Sequence, residues 1–378
     1  MTELLPGLDA DRAEFRAFFE EHCPPEYADR CDSERRFPHE LFRAAADAGI
    51  FRVSVPEEYG GRGFDPRALT VLLQEAGRAF PDFANTIVRS QTLCMTLVAQ
   101  FGSDRQKLEL LPRFADGSMH MAFAISEPGA GSDAFALATE ARVVDGGYAL
   151  HGEKRYATGS DVADAILCVA RLEGTSGRDG LTGLVLDPKA AGLVIERHDT
   201  LGVSATGTAS LHLDGARVAT EGVLGEPGGG FALLVAGLDL ERLATAAIST
   251  GASRLLLEHV AAFVKQREQF GAPLADLQAV RHHLANMAMR VQAAELATFR
   301  VAEILAEGRR AHLEASVAKL TATETYMWCA HRAVQLEGGW GYTFDRVVQR
   351  HFRDAKMYEI GGGASDVQRD IIGKRLGL

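Results

Sequence analysis

The spacing of apolar residues changes twice along this 378-residue chain, and each change excludes a single uniform fold. From Asp9 to about Gly117 apolar residues recur at intervals of three and four, which predicts amphipathic helices. From about Ser118 to Val223 short β-prone runs such as Ala165–Ala170 take over. Past a Gly/Pro cluster at 225–230 the helical spacing returns over three long segments, Phe231–Arg267, Leu277–Glu307 and Leu313–Leu336. The predicted fold is α+β and multidomain: an N-terminal α-helical domain at 1–117, a central β-sandwich or barrel at 118–223, and a C-terminal antiparallel four-helix bundle at 224–378.

Charge and composition exclude several classes of function. The chain carries 40 Lys and Arg against 51 Asp and Glu, a formal charge of -11, so we expect no nucleic-acid partner. No apolar stretch approaches the length of a membrane span, and Met1–Ala10 lacks the basic start of a signal peptide, so we expect no membrane association. Five scattered cysteines without metal spacing indicate reduced thiols and a cytoplasmic location. The pair His282-His283 also lacks metal spacing, and we predict no metal site.

Two glycine-containing segments are candidates for ligand contact. Ser126–Asp133 follows a predicted strand, and its small residues could cradle a phosphate or the edge of a planar cofactor; a plain β-turn is equally consistent. It is not a P-loop, because no Gly-Lys-Ser/Thr follows. Gln335–Tyr342 follows a predicted helix, where it could form a helix C-cap and a subunit interface or contact a cofactor. Neither segment decides between these readings alone.

Taken together, the motifs are much more specific. Ser126–Asp133, Lys154–Thr158, Arg267–Gly271, Gln335–Gly341 and Arg353–Lys356 resemble the acyl-CoA dehydrogenase family in order and spacing, over essentially the whole chain. The resemblance implies FAD bound between the β domain and the C-terminal bundle of a homotetramer, with a dimer as the alternative. By motif match, the cofactor-binding residues would be Phe123, Ile125, Ser126, Gly131, Ser132, Tyr156, Thr158, Arg267, Phe270, Gln278, Gln335, Gly338 and Gly339.

The resemblance also implies roles for some of these residues. Thr158 would hydrogen-bond flavin N5, the atom that receives hydride, and Tyr156 stands where the family usually has Trp. Arg267 and Phe270 would reach the pyrophosphate and adenosine, with Gln335, Gly338 and Gly339 supplied across a subunit interface. Without the surrounding motif, Arg267 would be interpreted as a helix residue whose charge is exposed to solvent.

The catalytic base is the position where the chain departs from many family members. Their base is a Glu at the position of Gly362, and glycine cannot remove a proton. In an isovaleryl- and long-chain-like subset the catalytic Glu lies on a helix of the bundle, and Glu241 occupies that position. Leu234, Leu238, Glu241, Thr245 and Ile248 share one helix face, so this carboxylate lies on an apolar stripe, which suits a general base. Alternatively, Glu241 pairs with a basic side chain and only orients the bundle.

The run Gly361-Gly362-Gly363 would then leave room for a thioester and for Glu241, while the N–H of Gly362 donates to the substrate carbonyl. The resemblance places the substrate against Ser132, Leu238, Arg242, Gly361 and Arg89. For Arg242, an ion pair with Asp239 is an equal alternative. For Arg89, exposure to solvent is the alternative to a place in the acyl pocket, where it would indicate a functionalised acyl group.

The leading functional hypothesis is FAD-dependent α,β-dehydrogenation of an acyl thioester, with Glu241 removing the α proton and flavin N5 accepting the β hydride. The thioester could be carried by CoA or a carrier protein, and electrons would pass to an electron-transfer flavoprotein or another acceptor. A flavin-dependent oxidase or monooxygenase on the same fold is the alternative. A third hypothesis is a flavin-free binding protein.

Overall fold

The computed structural model describes residues 7–377. Met1–Pro6, which carry part of the prediction about a signal peptide, lie outside the described residues. The N-terminal helices are α1 (Asp9–His22), α2 (Pro25–Ser33), α3 (His39–Asp47), α4 (Pro66–Ala79), α5 (Pro81–Thr86), α6 (Met95–Phe101) and α7 (Asp104–Ala115). The predicted fold class is confirmed by these helices, the sheet that follows and the C-terminal bundle.

Local sequence signals set the ends of these helices. Asp65 accepts a hydrogen bond from the backbone N–H of Arg67 at the start of α4, and Pro66 occupies the first turn. Ser103 and Gln106 form a capping box at the start of α7. Between α5 and α6 the helix continues through Ile87–Cys94 with π-helical hydrogen bonds. Such π segments are uncommon and often lie at functional sites.

The central region forms one mixed sheet. Its strands are β1 (Met121–Ala124), β2 (Glu140–Val144), β3 (Gly147–Thr158), β4 (Ala165–Leu172), β5 (Leu181–Leu186), β6 (Leu193–His198), β7 (Thr208–Ala219) and β8 (Val223–Leu224). The strand order is β6-β7-β3-β2-β4-β5-β8, and β1 pairs in parallel with β4. The strands are therefore one connected sheet of eight, with β1 and β2 pairing one after the other along the same edge of β4.

The C-terminal region is helical, with three long helices within a residue or so of the predicted bounds. The helices are α8 (Gly230–Gln266), α9 (Gln278–Ala306), α10 (His312–Glu337), α11 (Val347–Ile360) and α12 (Ser365–Arg375), and a short hairpin of β9 (Glu268–Gln269) and β10 (Ala272–Pro273) joins α8 to α9. Helices α8 to α11 pack as a bundle. Among the described helices, none has both the length and the apolar composition needed to cross a bilayer.

Helices α4 and α8 cross in near backbone contact. A Cβ placed on Gly77 of α4 would lie 2.5 Å from the carbonyl oxygen of Ile248, and one on Gly251 of α8 would lie 2.0 Å from the carbonyl oxygen of Gln74. Only glycine fits at such distances. This crossing fixes α8 against the N-terminal domain, and α8 carries Glu241.

A group of buried carboxylates joins α2, α5 and α11. Asp32, Asp82 and Asp354 bring oxygens within 4.8 Å of one another. Arg353 binds Asp32, and Asp82 accepts a hydrogen bond from the N–H of Ala205 at 3.1 Å. Asp354 accepts from Val203 at 2.7 Å through one oxygen, while its other oxygen has no partner within the described chain. Burial and the neighbouring Asp82 raise the pKa of Asp354 to about 8.

This raised pKa predicts a pH-dependent stability. Because folding raises the pKa of Asp354 above its ordinary value of 3.8, the unfolded chain releases this proton near pH 4 while the native state keeps it to about pH 8. The stabilisation from this group is therefore full below about pH 4 and is lost as pH rises toward about 8. We expect the free energy of unfolding to fall over that window by at most about 1.4 kcal/mol per pH unit from this group. Asp354→Asn, which carries no titrating proton, should flatten the slope.

The measurement is the melting temperature of the purified protein between pH 5.5 and 8.5. The exposed Asp366→Asn variant is the control, since 97% of its side chain is accessible. Equal slopes for wild type and Asp354→Asn would contradict the assignment.

Candidate functional site

The triglycine turn lies directly against Glu241. Gly361 ends α11, and Gly362 and Gly363 adopt positive φ angles of 67° and 91°, which favour glycine. A Cβ on Gly362 would lie 3.7 Å from the Glu241 carboxyl carbon and from its Oε1, and 3.6 Å from Oγ1 of Thr245. The fold thus brings the turn close to Glu241, although the two are far apart in the sequence.

Glu241 forms an ion pair with Arg89, which comes from the π-helical segment of the N-terminal domain. Nη1 of Arg89 donates to Oε1 of Glu241. The side chains are 18% and 10% accessible, so the pair is largely removed from water. Arg89 therefore does not face open solvent. This pair is also what the alternative hypothesis predicts, in which Glu241 binds a basic side chain and only orients the bundle. The role of Glu241 therefore depends on the other groups that lie beside it.

A small cavity adjoins this pair. It encloses about 210 Å³ of empty space, part of it open to solvent. Its lining comes from the N-terminal domain, α8 and α11: Asn85, Val88, Arg89, Thr245, Ile248, Met357, Tyr358 and Gly361. The cavity is therefore a pocket between domains whose lining includes the Arg89 guanidinium and Gly361, and Glu241 adjoins it through its ion pair with Arg89.

Lys319 supports the turn from α10, a role that sequence reasoning missed. Its ammonium is fully buried and donates to the carbonyl oxygens of Glu359 at 3.2 Å and Gly363 at 3.0 Å. Burial lowers its pKa to about 8, although the charges of Glu241 and Glu359 oppose that shift. A lysine within a helical sequence gives no sign of this contact, because its partners are backbone atoms some forty residues away.

Lys319→Met should remove both hydrogen bonds while keeping the length of the side chain. We expect a loss of about 1–3 kcal/mol of stability, because two buried carbonyls lose their donor. We also expect a lower kcat with a smaller change in KM, since the Gly362 N–H is then less well placed. Steady-state kinetics and thermal melting of the variant measure both effects, and an unchanged kcat would contradict a positioning role.

Arg242 forms its ion pair with Asp239 and takes no part in the pair between Glu241 and Arg89. It lies within 3.8 Å of Asp239, the predicted ion pair one turn away, and its Nε has no hydrogen-bond partner within the described chain. Asp239 is also bound by His312 at 2.6 Å and by the backbone N–H of Ala311 at 3.1 Å. Burial lowers the pKa of Arg242, against the attraction of Asp239 and Glu241. The structural ion pair is present, and Nε of Arg242 is left available.

The segment after β1 is held in place by one buried ion pair. Lys154 donates to Oε1 of Glu127 at 2.6 Å and to the carbonyl oxygen of Ile125 at 2.9 Å. Glu127 also accepts from the backbone N–H groups of Ala138 and Thr139. A further bond runs from the N–H of Arg155 to the carbonyl of Ser126 at 2.8 Å. These contacts tie the start of the Ser126–Asp133 segment to the end of β3.

The same segment presents an open surface of small residues. A Cβ on Gly129 or Gly131 would meet no atom within 4 Å, and Ser132 is exposed. Across from it, Thr158 ends β3. Tyr156 has a positive φ of 62° and is 65% exposed, so a strained backbone holds an aromatic ring in solvent. An open ledge with an aromatic ring beside it fits the edge and face of a planar group such as a flavin.

Helix α8 links this ledge to the base. Phe123 and Ile125 pack against the same buried cluster as Leu234 of α8. Leu238 is half-buried one turn further along, and Glu241 lies seven residues past Leu234, about 10 Å along the helix. Helix α8 therefore runs from the cluster beneath the ledge to Glu241.

The remaining predicted cofactor residues lie elsewhere. The guanidinium of Arg267, just past the end of α8, stacks over Trp340 at 5.4 Å, next to Gln335, Gly338 and Gly339 in the sequence. Phe270 is 96% exposed nearby in the chain, and Gln278 begins α9. From Leu238 to Arg267 the helix rises roughly 40 Å. The segments that contain Arg267 and Gly338–Gly339 thus lie close together in one subunit, far from the ledge of that same subunit.

Comparisons with known proteins agree over the full chain. Three family models match: "Acyl-CoA dehydrogenase, N-terminal domain" at residues 8–118, "Acyl-CoA dehydrogenase, middle domain" at 122–216 and "Acyl-CoA dehydrogenase, C-terminal domain" at 228–377. The 3-(aryl)acrylate reductase of Clostridium sporogenes is 34% identical over 362 residues, covering 96% of each chain.

Two solved structures are similar in fold over nearly their full length. Butyryl-CoA dehydrogenase from Megasphaera elsdenii has a TM-score of 0.93 and 30% identity, covering 100% of both chains. The prolyl acyl carrier protein oxidase AnaB has a TM-score of 0.92 and 27% identity, covering 98% of this chain and 100% of that one.

Proposed function

The chain belongs to the acyl-CoA dehydrogenase family and is an FAD-dependent oxidoreductase, and we propose that it dehydrogenates an acyl thioester with Glu241 as the base. The observation that carries this assignment is the contact between Glu241 and the turn at Gly362. The carboxylate lies 3.7 Å from where a Cβ on Gly362 would be, so it borders the space that the glycine leaves open. A carboxylate buried beside a cleft and turned to that space is suited to proton removal.

The chain's own groups supply the other requirements of α-proton removal. The backbone N–H of Gly362 donates to the thioester carbonyl and stabilises the enolate character of the transition state. Lys319 holds the carbonyls on both sides of this turn, which keeps the N–H fixed. Leu238 and Gly361 confine the acyl chain between α8 and the turn. FAD, when bound on the ledge, supplies the acceptor for the hydride that leaves the β carbon.

The cofactor site is built from two copies of the chain. Phe123, Ile125, Ser126, Gly131, Ser132, Tyr156 and Thr158 would hold the flavin end. Arg267, Phe270, Gln278, Gln335, Gly338 and Gly339 would hold the adenosine end of a neighbour's FAD, because roughly 40 Å separates the two groups in one chain. Phe270, Tyr342 and Phe344 are 96%, 88% and 84% exposed at that end, an apolar surface suited to a partner subunit. The proposed assembly is a homotetramer.

The proposals for the thioester carrier and for the electron acceptor are based on membership of the same family. Both CoA and a phosphopantetheine carrier present the same thioester arm to the cleft, and AnaB is an oxidase of a carrier-bound acyl group. The proposed acceptor is an electron-transfer flavoprotein. The location would be the cytoplasm.

The test is anaerobic bleaching of the bound flavin by acyl thioesters on CoA and on a carrier protein. Bleaching followed by slow reaction with oxygen is expected of a dehydrogenase. Fast oxygen consumption by the reduced protein would instead support the oxidase or monooxygenase alternative, and a colourless purified protein would contradict the flavin assignment.

A further inference from the structure

The buried end of the acyl pocket carries positive charge and unused hydrogen-bond donors. Arg89 makes one ion pair within the part of the chain that the structure describes, to Glu241 through Nη1. Its other terminal nitrogen lies toward Gly361, 3.6 Å from where a Cβ on that residue would be. Guanidinium has five N–H donors in a fork that suits a carboxylate. Most of that donor capacity is free for a ligand.

Asn85 provides a second, independent sign of a ligand. It lies one helical turn before Arg89 and lines the same cavity. Its side chain is only 3% exposed, and Nδ2 is buried without a hydrogen-bond partner among residues 7–377. A buried amide without a partner is costly, and a ligand with acceptor atoms would remove that cost.

The ion pair itself conflicts with the proposed reaction. Arg89 holds Oε1 of Glu241, the oxygen that lies beside Gly362. Once Glu241 takes the α proton it becomes neutral, and Arg89 then has no anionic partner in a largely buried pocket. An uncompensated buried cation opposes that step. A purely hydrocarbon acyl chain cannot provide the missing charge, whereas an anionic one can.

We propose that the substrate is an acyl thioester bearing a carboxylate at its far end, and that this carboxylate binds Arg89 and Asn85 and releases Glu241 to act as base. The inference rests on the proposed function and names the substrate class of the same site. The α proton moves to Glu241, while the substrate carboxylate remains the counter-ion of Arg89 throughout. FAD bound on the ledge would supply the acceptor for the hydride that leaves the β carbon.

Because the substrate carboxylate releases Glu241 from Arg89, its presence raises kcat as well as lowering KM. A group that only increased binding would lower KM and leave kcat unchanged.

The experiment uses the holoenzyme and matched pairs of thioesters, succinyl with butyryl and glutaryl with pentanoyl, each carried on CoA and on phosphopantetheine. Anaerobic flavin reduction gives kcat and KM for each. We expect the dicarboxylic member to have at least about a tenfold higher kcat/KM, with part of the gain in kcat. Equal kcat values for both members of each pair would overturn the proposal.

Variants separate the carboxylate subsite from the base. Arg89→Met should abolish the preference, Arg89→Lys should retain part of it, and Asn85→Leu should reduce it mainly through KM. Arg105→Met, at an exposed position on α7, is the control and should keep the wild-type ratio. An Arg89→Met protein that is folded, yellow and still prefers the dicarboxylic member would also overturn the proposal.

Failure of the subsite and failure of the proposed function have different signatures. The subsite is tested by the ratio between matched substrates. The function is tested by the absolute rate, which Glu241→Gln lowers for every substrate alike.

Discussion

Glu241→Gln is expected to lower the rate of anaerobic flavin reduction by about 10²- to 10⁴-fold. The amide has nearly the same shape as the carboxylate and can keep a hydrogen bond from Arg89, but it cannot accept the α proton. The pocket, the turn at Gly362 and the FAD ledge should therefore remain intact. Flavin content and melting temperature should stay close to wild type, so that the loss is assigned to chemistry.

Glu258→Gln is the matched control, because Glu258 lies on the same helix, is about half exposed and pairs with Arg78 at its surface. It should reduce flavin at the wild-type rate. If Glu241→Gln reduces flavin as fast as wild type, Glu241 only orients the bundle, as the ion pair with Arg89 would allow, and the base lies elsewhere.

Gly251→Ala is expected to destabilise the protein by about 3 kcal/mol or more, a large effect for one methyl group. The new Cβ would lie 2.0 Å from the carbonyl oxygen of Gln74, and that atom belongs to the backbone of α4. The two helices must separate to admit it. Glu241 lies ten residues before Gly251, about 15 Å along α8, so the shift should also lower activity.

Thermal melting and urea unfolding measure the effect. Gly373→Ala is the control, because its added Cβ meets no atom within 4 Å on the terminal helix α12. There the better helix propensity of Ala should leave stability unchanged or raise it slightly. Equal stability of the two variants would show that α4 and α8 can separate without cost.

The sequence alone determined the class of the fold and the identity of the base candidate. The change from helical to strand spacing and back predicts three regions because each spacing is a local property of neighbouring residues. The long helices α8, α9 and α10 were predicted to within a residue or so for that reason. Glu241 was identified from the resemblance to the isovaleryl- and long-chain-like subset, with the glycine at position 362 and its place on an apolar helix face as support.

The tertiary structure alone decided which distant groups meet. No local pattern could show that Arg89, 152 residues earlier, holds Glu241, or that Lys319 binds the carbonyls of the triglycine turn. Nor could it show that Nδ2 of Asn85 has no partner among the described residues. The π-helical hydrogen bonds at Ile87–Cys94 and the exclusion of a Cβ at Gly251 also depend on packing between helices. The physical reason is that ion pairing, burial and steric fit are properties of contacts across the fold, whereas spacing and propensity act along the chain.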